Sequence, residues 1–304
     1  AGRARDSLAA PALYWAGRAH LLAGDADAAR RRFEEAREAD PWSFYGVRAS
    51  ERLGRTLEDV PLGEAPRADP GMEERVRAAL FRAGVLREIG MEEEAWWEHD
   101  RVRRGVDADP GALYALSEGM AEQGRPVAAQ VLGQEIRNRT GRWDERLLRI
   151  AHPFRYRDLV EREARRNGLD PFLVAGLIRK ESFFQATAVS PVGAVGLMQV
   201  MPATGRGLAQ GAGIRGFTPD MLRDPDVNVR LGTRFLAAQV RRYRNLTEVF
   251  SAYNAGPGRV ARWRSFPEAR DEDLLVERIP FEETRTYAKR VRLYMHVYRA
   301  LYGD

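Results

Sequence analysis

The sequence contains no cysteine, which excludes disulfide bonds, zinc sites built on thiolates and a thiol nucleophile. It has only two lysines, Lys180 and Lys289, so arginine carries nearly all of the positive charge. The four histidines are scattered at positions 20, 99, 152 and 296, and they form no dense group of metal ligands with acidic residues. The composition thus predicts no metal site, and any catalysis must rely on other side chains.

The sequence also has no run of about 18 apolar residues, so it predicts no transmembrane segment in this chain. It opens with AGRARDS and shows no charged segment followed by an apolar one, and this absence of a signal segment is uninformative about export. A length of 304 residues is long for one hydrophobic core and sufficient for two domains. The formal charge of +5 favours polyanions such as nucleic acid, anionic lipid or an anionic cell-wall polymer, without choosing between them.

Short amphipathic helices are predicted from the N-terminus to about residue 145. Gly24, Gly90 and Gly124 interrupt them at intervals close to two units and one unit of a repeat of about 34 residues. An alanine follows each of these glycines by five positions, as close packing of helices requires. The pattern resembles tetratricopeptide-like (TPR-like) helix pairs. It predicts a helical-repeat domain over residues 1–148, with a linker or long loop at residues 55–71.

Two functions fit such an array of helices: a concave surface that binds a partner, or a scaffold that positions its neighbour. Trp96 and Trp97 are candidates for a platform on which a sugar ring stacks. The alternative, which is commoner for an aromatic pair on a helix, is that they pack in the core.

From about residue 149 the pattern changes to helices separated by loops rich in glycine and proline. Asp170 and Pro171 predict the start of one helix, on which Leu177, Ile178 and Glu181 share a face. A carboxylate on an apolar face is partly desolvated, which raises its pKa and prepares it to donate a proton at neutral pH. The alternative is a glutamate at a helix end that bonds a neighbouring arginine or backbone amide. Because no long segment alternates with period two, the fold class is mainly α.

Three further segments occur in order from the end of this helix: ESFFQATAVSPVGAVGLMQVMPATG, AYNAGPGRV and PFEETRTYAKRV. In order and spacing they resemble the catalytic domain of the soluble lytic transglycosylases, goose-lysozyme-like enzymes that cut bacterial peptidoglycan. The resemblance implies a lysozyme-like catalytic domain at residues 149–304. The N-terminal half resembles, less specifically, the superhelical domains that precede it in the family. The predicted fold is mainly α, with an N-terminal helical-repeat (TPR-like) superhelix followed by a lysozyme-like α domain.

The resemblance implies a single catalytic acid, Glu181. It also implies a glycan groove lined by groups that can bond sugar hydroxyls and acetamides. The substrate-binding candidates that match the family are Ser190, Gln199, Met201, Tyr253, Asn254, Glu283 and Tyr287. Among them Tyr253 is the preferred partner of the reacting sugar, and Met201 would offer apolar surface to a sugar ring unless it packs in the core. Gly193 and Gly196 are expected to form tight turns beside the groove.

The implied activity is that of a lytic transglycosylase, a carbon–oxygen lyase acting on murein. Glu181 would protonate the β-1,4 glycosidic oxygen between N-acetylmuramic acid and N-acetylglucosamine, and the 6-hydroxyl of the muramic acid would then attack to give a 1,6-anhydromuramoyl end. One alternative is a hydrolysing muramidase of the same fold, which needs Glu283 or another acid such as Asp220 to activate water. A second alternative is a non-enzymatic scaffold that binds glycan or a partner.

The resemblance further implies peptidoglycan glycan strands as the partner, no cofactor, and a role in cell-wall turnover in the periplasm or cell envelope of a bacterium. A cell-wall protein that binds the helical repeats is a further candidate partner. Nucleic acid is not expected, since the arginine-rich surface is accompanied by no recognised binding motif.

Overall fold

The computed structural model describes residues 8–303, and this part of the chain contains sixteen α-helices, three short 3₁₀-helices and no named β-strand. The mainly α class predicted from the sequence is confirmed. No helix among the described residues is both long enough and apolar enough to cross a membrane.

The contacts divide the chain into two compact units. The first unit comprises the described residues 8–60 and 154–303, and the second comprises residues 61–153. The first three helices therefore pack with the C-terminal half of the chain. The sequence places them instead in a helical-repeat domain that ends at residue 148. That division, with its boundary at 148 and 149, stays a prediction.

The second unit is built from five helices, three of which begin with a proline in the first turn. They are α4 (Pro70–Glu88), α5 (Glu92–Gly105), α6 (Pro110–Glu122), α7 (Pro126–Thr140) and α8 (Glu145–Ala151). Gly90 and Gly124 have φ angles of 82° and 76° and join the helices into hairpins. Ala95 and Ala129 are fully buried, as their spacing from these glycines predicts.

Trp96 and Trp97 lie on α5 of this unit, and both are exposed, at 43% and 57%. The expectation that an aromatic pair on a helix packs in the core is therefore wrong here. Trp96 lies under the guanidinium of Arg125, 5.5 Å from its ring centroid.

The first unit begins with three helices, α1 (Ala9–Leu22), α2 (Ala26–Ala39) and α3 (Phe44–Leu53). The chain from residue 54 to 69 contains turns and no helix. The unit resumes with α9 (Arg157–Asn167), α10 (Pro171–Ser182), α11 (Pro202–Ala209), α12 (Pro225–Arg242), α13 (Leu246–Ala255), α14 (Pro257–Trp263), α15 (Glu272–Arg278) and α16 (Glu282–Tyr302).

Helix α10 is the central helix of the first unit. Its start follows the sequence prediction: the carboxylate of Asp170 accepts a hydrogen bond of 2.9 Å from the amide of Phe172, and Pro171 occupies the first turn. Residues 173–179 are all buried, which is expected of a helix that is apolar on nearly every side. Helix α16 packs along it at close range, because Gly176 leaves room for the backbone of Val291 and Met295.

We expect Gly176→Ala to destabilise the first unit by about 1 to 3 kcal/mol, because a Cβ at this position would lie 2.7 Å from the amide nitrogen of Met295. The obstacle is backbone and cannot rotate away. Gly207→Ala on α11 is the matched control, since no atom lies within 4 Å of the added Cβ, and this change should be neutral or slightly stabilising. Urea denaturation of the two variants measures both values. Equal unfolding free energies would contradict the close approach of α10 and α16.

Candidate active site

Glu181 lies in the last turn of α10, where the helix end is fixed by its neighbours. The hydroxyl of Ser182 donates a hydrogen bond of 2.8 Å to the carbonyl of Leu197, which ties the helix end to a following loop. Phe183 and Phe184 then adopt φ angles of 53° and 60°, which are uncommon for residues other than glycine. Phe184 is fully buried in the core. The turn after Glu181 is therefore locked from both sides.

The carboxylate of Glu181 accepts a hydrogen bond of 2.5 Å from the phenol of Tyr287 on α16. Burial raises the pKa of Glu181 to about 7, although the Tyr287 hydrogen bond and the charge of Lys180 act in the opposite direction, and the charge of Glu283 raises the pKa further. The alternative, in which Glu181 pairs with an arginine or a backbone amide at the helix end, is wrong, because its partner is the phenol of Tyr287. A carboxyl with a pKa near neutrality can both donate and accept a proton at physiological pH.

We expect Tyr287→Phe to raise the pKa of Glu181 above about 7, because the phenol hydrogen bond favours the charged carboxylate and its loss removes that effect. If protonated Glu181 is the active form, the alkaline limb of the pH–rate profile moves to higher pH in the variant. The ring of Tyr287 is 1% exposed, and phenylalanine fills the same space. The measurement is the rate of glycan cleavage between pH 5 and pH 9. An alkaline limb that stays in place, or moves to lower pH, would contradict this coupling.

The loop after α10 is held by a buried side chain that sequence analysis missed. Asn228 on α12 is 1% exposed, and its amide oxygen accepts a hydrogen bond of 2.8 Å from the amide of Met198. Its amide nitrogen donates to the carbonyls of Val195 (2.8 Å) and Leu222 (2.7 Å). A Cβ on Gly196 would lie 2.2 Å from that nitrogen, so only glycine fits beside Asn228. One hint was available: a polar residue on the buried face of a helix needs hydrogen-bond partners.

The candidates Gln199, Met201, Tyr253 and Asn254 line one cleft of about 390 Å³. Gln199 has a φ angle of 47°, and its amide nitrogen donates to the carbonyls of Gly196 (2.8 Å) and Ala188 (3.2 Å). Its side chain is thus fixed in place by its own loop. Met201 is 40% exposed at the cleft.

The phenol of Tyr253 donates a hydrogen bond of 2.8 Å to the carbonyl of Met198. Its ring lies 5.2 Å, centroid to centroid, from the ring of Phe235, which also lines the cleft and which the sequence did not single out. Burial, followed by the charge of Glu181, raises the pKa of Tyr253 well above its usual value, so its hydroxyl stays protonated. Met198 itself is fully buried and belongs to the core.

Asn254 connects the cleft to the start of α16. Its amide nitrogen donates to the carboxylate of Glu283 (3.3 Å), and its oxygen accepts from the hydroxyl of Thr284 (2.7 Å). Glu283 is exposed, whereas Tyr287, one turn further along the helix, is buried against Glu181. The first turn of α16 is therefore fastened to the cleft at Asn254.

Four candidates are not among the residues that line this cleft: Glu181, Ser190, Glu283 and Tyr287. Glu283 is joined to it through Asn254, and Glu181 acts on the pKa of Tyr253, whereas Ser190 has a local role. Its hydroxyl accepts a hydrogen bond of 2.9 Å from the amide of Ala194 and closes the turn that contains Gly193. Gly193 and Gly196 have φ angles of 83° and 81°, which confirms the tight turns that the sequence predicts. Asp220, named as an alternative acid, is 93% exposed and lies 3.8 Å from Arg223.

The family model that matches this chain, and two curated proteins that match it, are described as transglycosylases. Residues 158–276 match the family model described as the Transglycosylase SLT domain. The soluble lytic murein transglycosylase of Escherichia coli K12 is 32% identical over 278 residues, which cover 86% of this chain and 39% of that protein. The protein of the same name from Salmonella typhimurium is 37% identical over 275 residues, with the same coverage. The chain thus spans well under half the length of these relatives.

Solved structures agree with the sequence matches. The structure of an inactive mutant of the lytic transglycosylase Slt from Pseudomonas aeruginosa has a TM-score of 0.78 and 30% identity, covering 95% of this chain and 46% of that chain. The 70 kDa soluble lytic transglycosylase of Escherichia coli has a TM-score of 0.77 and 27% identity, covering 96% and 46%. Because the likeness extends over nearly the whole chain, it confirms the predicted fold class. The chain is therefore a relative of the soluble lytic transglycosylases that carries the Transglycosylase SLT domain at residues 158–276.

Proposed function

We propose that this chain is a peptidoglycan lytic transglycosylase, as its relatives named lytic murein transglycosylases are. It would cleave the β-1,4 bond between N-acetylmuramic acid and N-acetylglucosamine and release 1,6-anhydromuramoyl products. The observation that carries the proposal is Glu181, whose pKa is raised to about 7 at the end of α10 and whose carboxylate is held by Tyr287.

In the first step the protonated carboxyl of Glu181 gives its proton to the glycosidic oxygen while the bond from that oxygen to C1 of the muramic acid breaks. The 2-acetamido oxygen of the same sugar supplies the electron pair that assists departure. In the second step the 6-hydroxyl bonds to C1, the acetamido oxygen leaves C1 with its electron pair, and the proton of the hydroxyl goes to the carboxylate of Glu181. The acid is then restored, no water is consumed, and the reaction as written requires neither metal nor cofactor.

Tyr287 suits both steps, because its phenol can donate a hydrogen bond to the carboxylate of Glu181 while it keeps its own proton. Its pKa is raised well above the usual value, first by burial and then by the charge of Glu181, so it remains a donor throughout. The cleft residues Gln199, Tyr253 and Asn254 are proposed to hold the sugar rings, with Phe235 as an additional wall. Ser190 would contribute indirectly, because its hydroxyl closes the turn that contains Gly193.

The hydrolysing muramidase of the same fold requires a second carboxylate placed to activate water. Glu283 is exposed and bonded to Asn254, and Asp220 is almost fully exposed. The geometry therefore favours the single-acid mechanism over hydrolysis. It also favours an enzyme over a scaffold that merely binds glycan, since a binder gains nothing from a desolvated acid.

The proposed substrate sets the proposed location, which is the periplasm or cell envelope of a bacterium. Glycan strands are the proposed partner, and the net positive charge suits an anionic wall polymer. A cell-wall protein that binds the helical repeats stays a prediction.

Mass analysis of the fragments released from purified sacculi tests the proposal. Anhydro products should be lighter by one water, about 18 Da, than the reducing-end fragments of a hydrolase. Fragments with ordinary reducing ends would support a muramidase, and an absence of soluble fragments would support a scaffold.

A further inference from the structure

A second cavity, of about 730 Å³, lies in the first unit at the beginning of α13, and it shares no lining residue with the cleft at Gln199 and Tyr253. It is bordered by Glu248 near the start of α13, whereas Asn254 of the cleft follows six residues later, about 9 Å further along the helix axis. Arg244, Arg264 and Arg270 line it from three separate segments. Sequence analysis assigned no role to any of these residues.

The one acidic residue that lines this cavity is already engaged. Glu248 is 3% exposed, and its carboxylate accepts a hydrogen bond of 3.4 Å from the backbone amide of Arg244. It also lies 3.6 Å from the guanidinium of Arg264. One guanidinium is thereby neutralised and fixed. The charges of Arg244 and Arg270 remain uncompensated by the lining residues.

The acids nearest to Arg270 along the chain are paired elsewhere. Glu268 lies 3.2 Å from Arg278, and Asp271 lies 2.5 Å from Arg18. Within residues 8–303, neither Arg244 nor Arg270 has a carboxylate within 4.0 Å of its side chain. Two exposed guanidinium groups therefore line one cavity, and no carboxylate among residues 8–303 pairs with either of them.

The remaining wall is partly apolar. Phe266 lines the cavity, and the guanidinium of Arg278 lies 5.9 Å from its ring centroid. A volume of this order accommodates a small organic molecule rather than a lone ion. Arginine is the side chain best suited to bind phosphate and carboxylate oxygens in pairs.

We propose that this cavity is a binding site for a doubly charged anionic group, a phosphate monoester or a dicarboxylate, held between Arg244 and Arg270. Glu248 acts by fixing Arg264, and Phe266 contacts the uncharged part of the ligand. The site is separate from the glycan cleft and does not depend on the proposed enzymatic activity.

The test uses the full chain and calorimetric titration at pH 7.5, with ionic strength held constant by sodium chloride. The probes are inorganic phosphate, glycerol 3-phosphate and glutarate, with glycerol as the neutral control. The expected result is saturable binding of one phosphate or dicarboxylate probe per chain. Arg244→Gln combined with Arg270→Gln should weaken this binding by about tenfold or more.

Arg241→Gln combined with Arg242→Gln is the matched control, because these substitutions remove the same charge. Both residues are exposed near the end of α12, and neither lines the cavity. This pair should change the affinity by less than about twofold. Binding of phosphates alone assigns the site to phosphate monoesters, and binding of glutarate alone assigns it to dicarboxylates. Binding that never saturates, or equal weakening in both double variants, would show only a diffuse basic surface and overturn the proposal.

Discussion

Replacing Glu181 with glutamine is expected to reduce the digestion of purified sacculi by about a thousandfold while leaving the fold unchanged. The amide fills the same space and can still accept a hydrogen bond from Tyr287, which now contacts the carboxylate at 2.5 Å. It has no proton of suitable acidity to give to the glycosidic oxygen. The initial rate of turbidity loss measures the effect, and the circular dichroism melting curve checks the fold.

Glu283→Gln is the matched control on the neighbouring helix, since it makes the same chemical change at an exposed carboxylate. The variant keeps a side chain that can bond Asn254, so only a small loss of rate is expected. Equal losses in the two variants would indicate that two carboxylates share the chemistry. Digestion by the Glu181 variant at more than a few per cent of the parent rate would place the acid elsewhere.

Asp273→Asn is expected to reduce the unfolding free energy by about 3 kcal/mol or more, the typical cost of removing one partner of a buried ion pair. Asp273 on α15 is 2% exposed and is contacted by side chains from α1 and α3. It accepts hydrogen bonds from Tyr14 (2.8 Å), Arg48 (2.7 Å), Arg52 (2.6 Å) and Arg18. Arg18 and Arg48 are themselves buried, and each would lose one of its anionic partners while keeping another, Asp271 for Arg18 and Glu51 for Arg48.

Asp226→Asn is the control for this change, because Asp226 also pairs with an arginine, Arg162, but its side chain is 72% exposed. An exposed pair contributes about 0 to 1 kcal/mol, so the control should be close to neutral. Urea denaturation of both variants gives the comparison. A loss below about 1 kcal/mol for Asp273→Asn would mean that the buried arginines find other partners.

The same cluster predicts a loss of stability in acid. The arginines and Tyr14 overcome the effect of burial and lower the pKa of Asp273 to about 2, and His296 and Arg292 do the same for Glu51. A carboxyl whose pKa is lower in the folded protein stabilises the fold at pH values above the pKa that it has in the unfolded chain. This contribution is lost as the pH falls through the pKa of the folded state. The urea concentration at the unfolding midpoint should therefore decrease as the pH is lowered from about 4 to about 2. A midpoint that is constant over this range would contradict the pairing.

The parts of the site that the sequence predicts are those set by local chemistry. Asp170 and Pro171 begin α10, the apolar neighbours of Glu181 indicate its desolvation, and the resemblance brings Tyr287 to the same site. The tight turns at Gly193 and Gly196 follow from the absence of a side chain at these positions.

What the sequence does not predict depends on contacts between distant residues. Asp273 bonds side chains more than 200 positions away, and no periodicity connects such partners. Asn228 is 30 residues from the amide that it holds. The exposure of Trp96 and Trp97 is decided by which face of α5 the neighbouring helices cover, and the sequence of α5 alone leaves that open.

Digestion of sacculi in water enriched in oxygen-18 tests the central claim, that Glu181 is the only catalytic carboxyl and that the substrate's own 6-hydroxyl completes the reaction. A tethered hydroxyl can have an effective concentration far above that of a water molecule entering the cleft. The account predicts 1,6-anhydromuramoyl ends that carry no label. Reducing ends that are predominantly labelled would show that water attacks, which would contradict the transglycosylase mechanism and assign the chain to the muramidases.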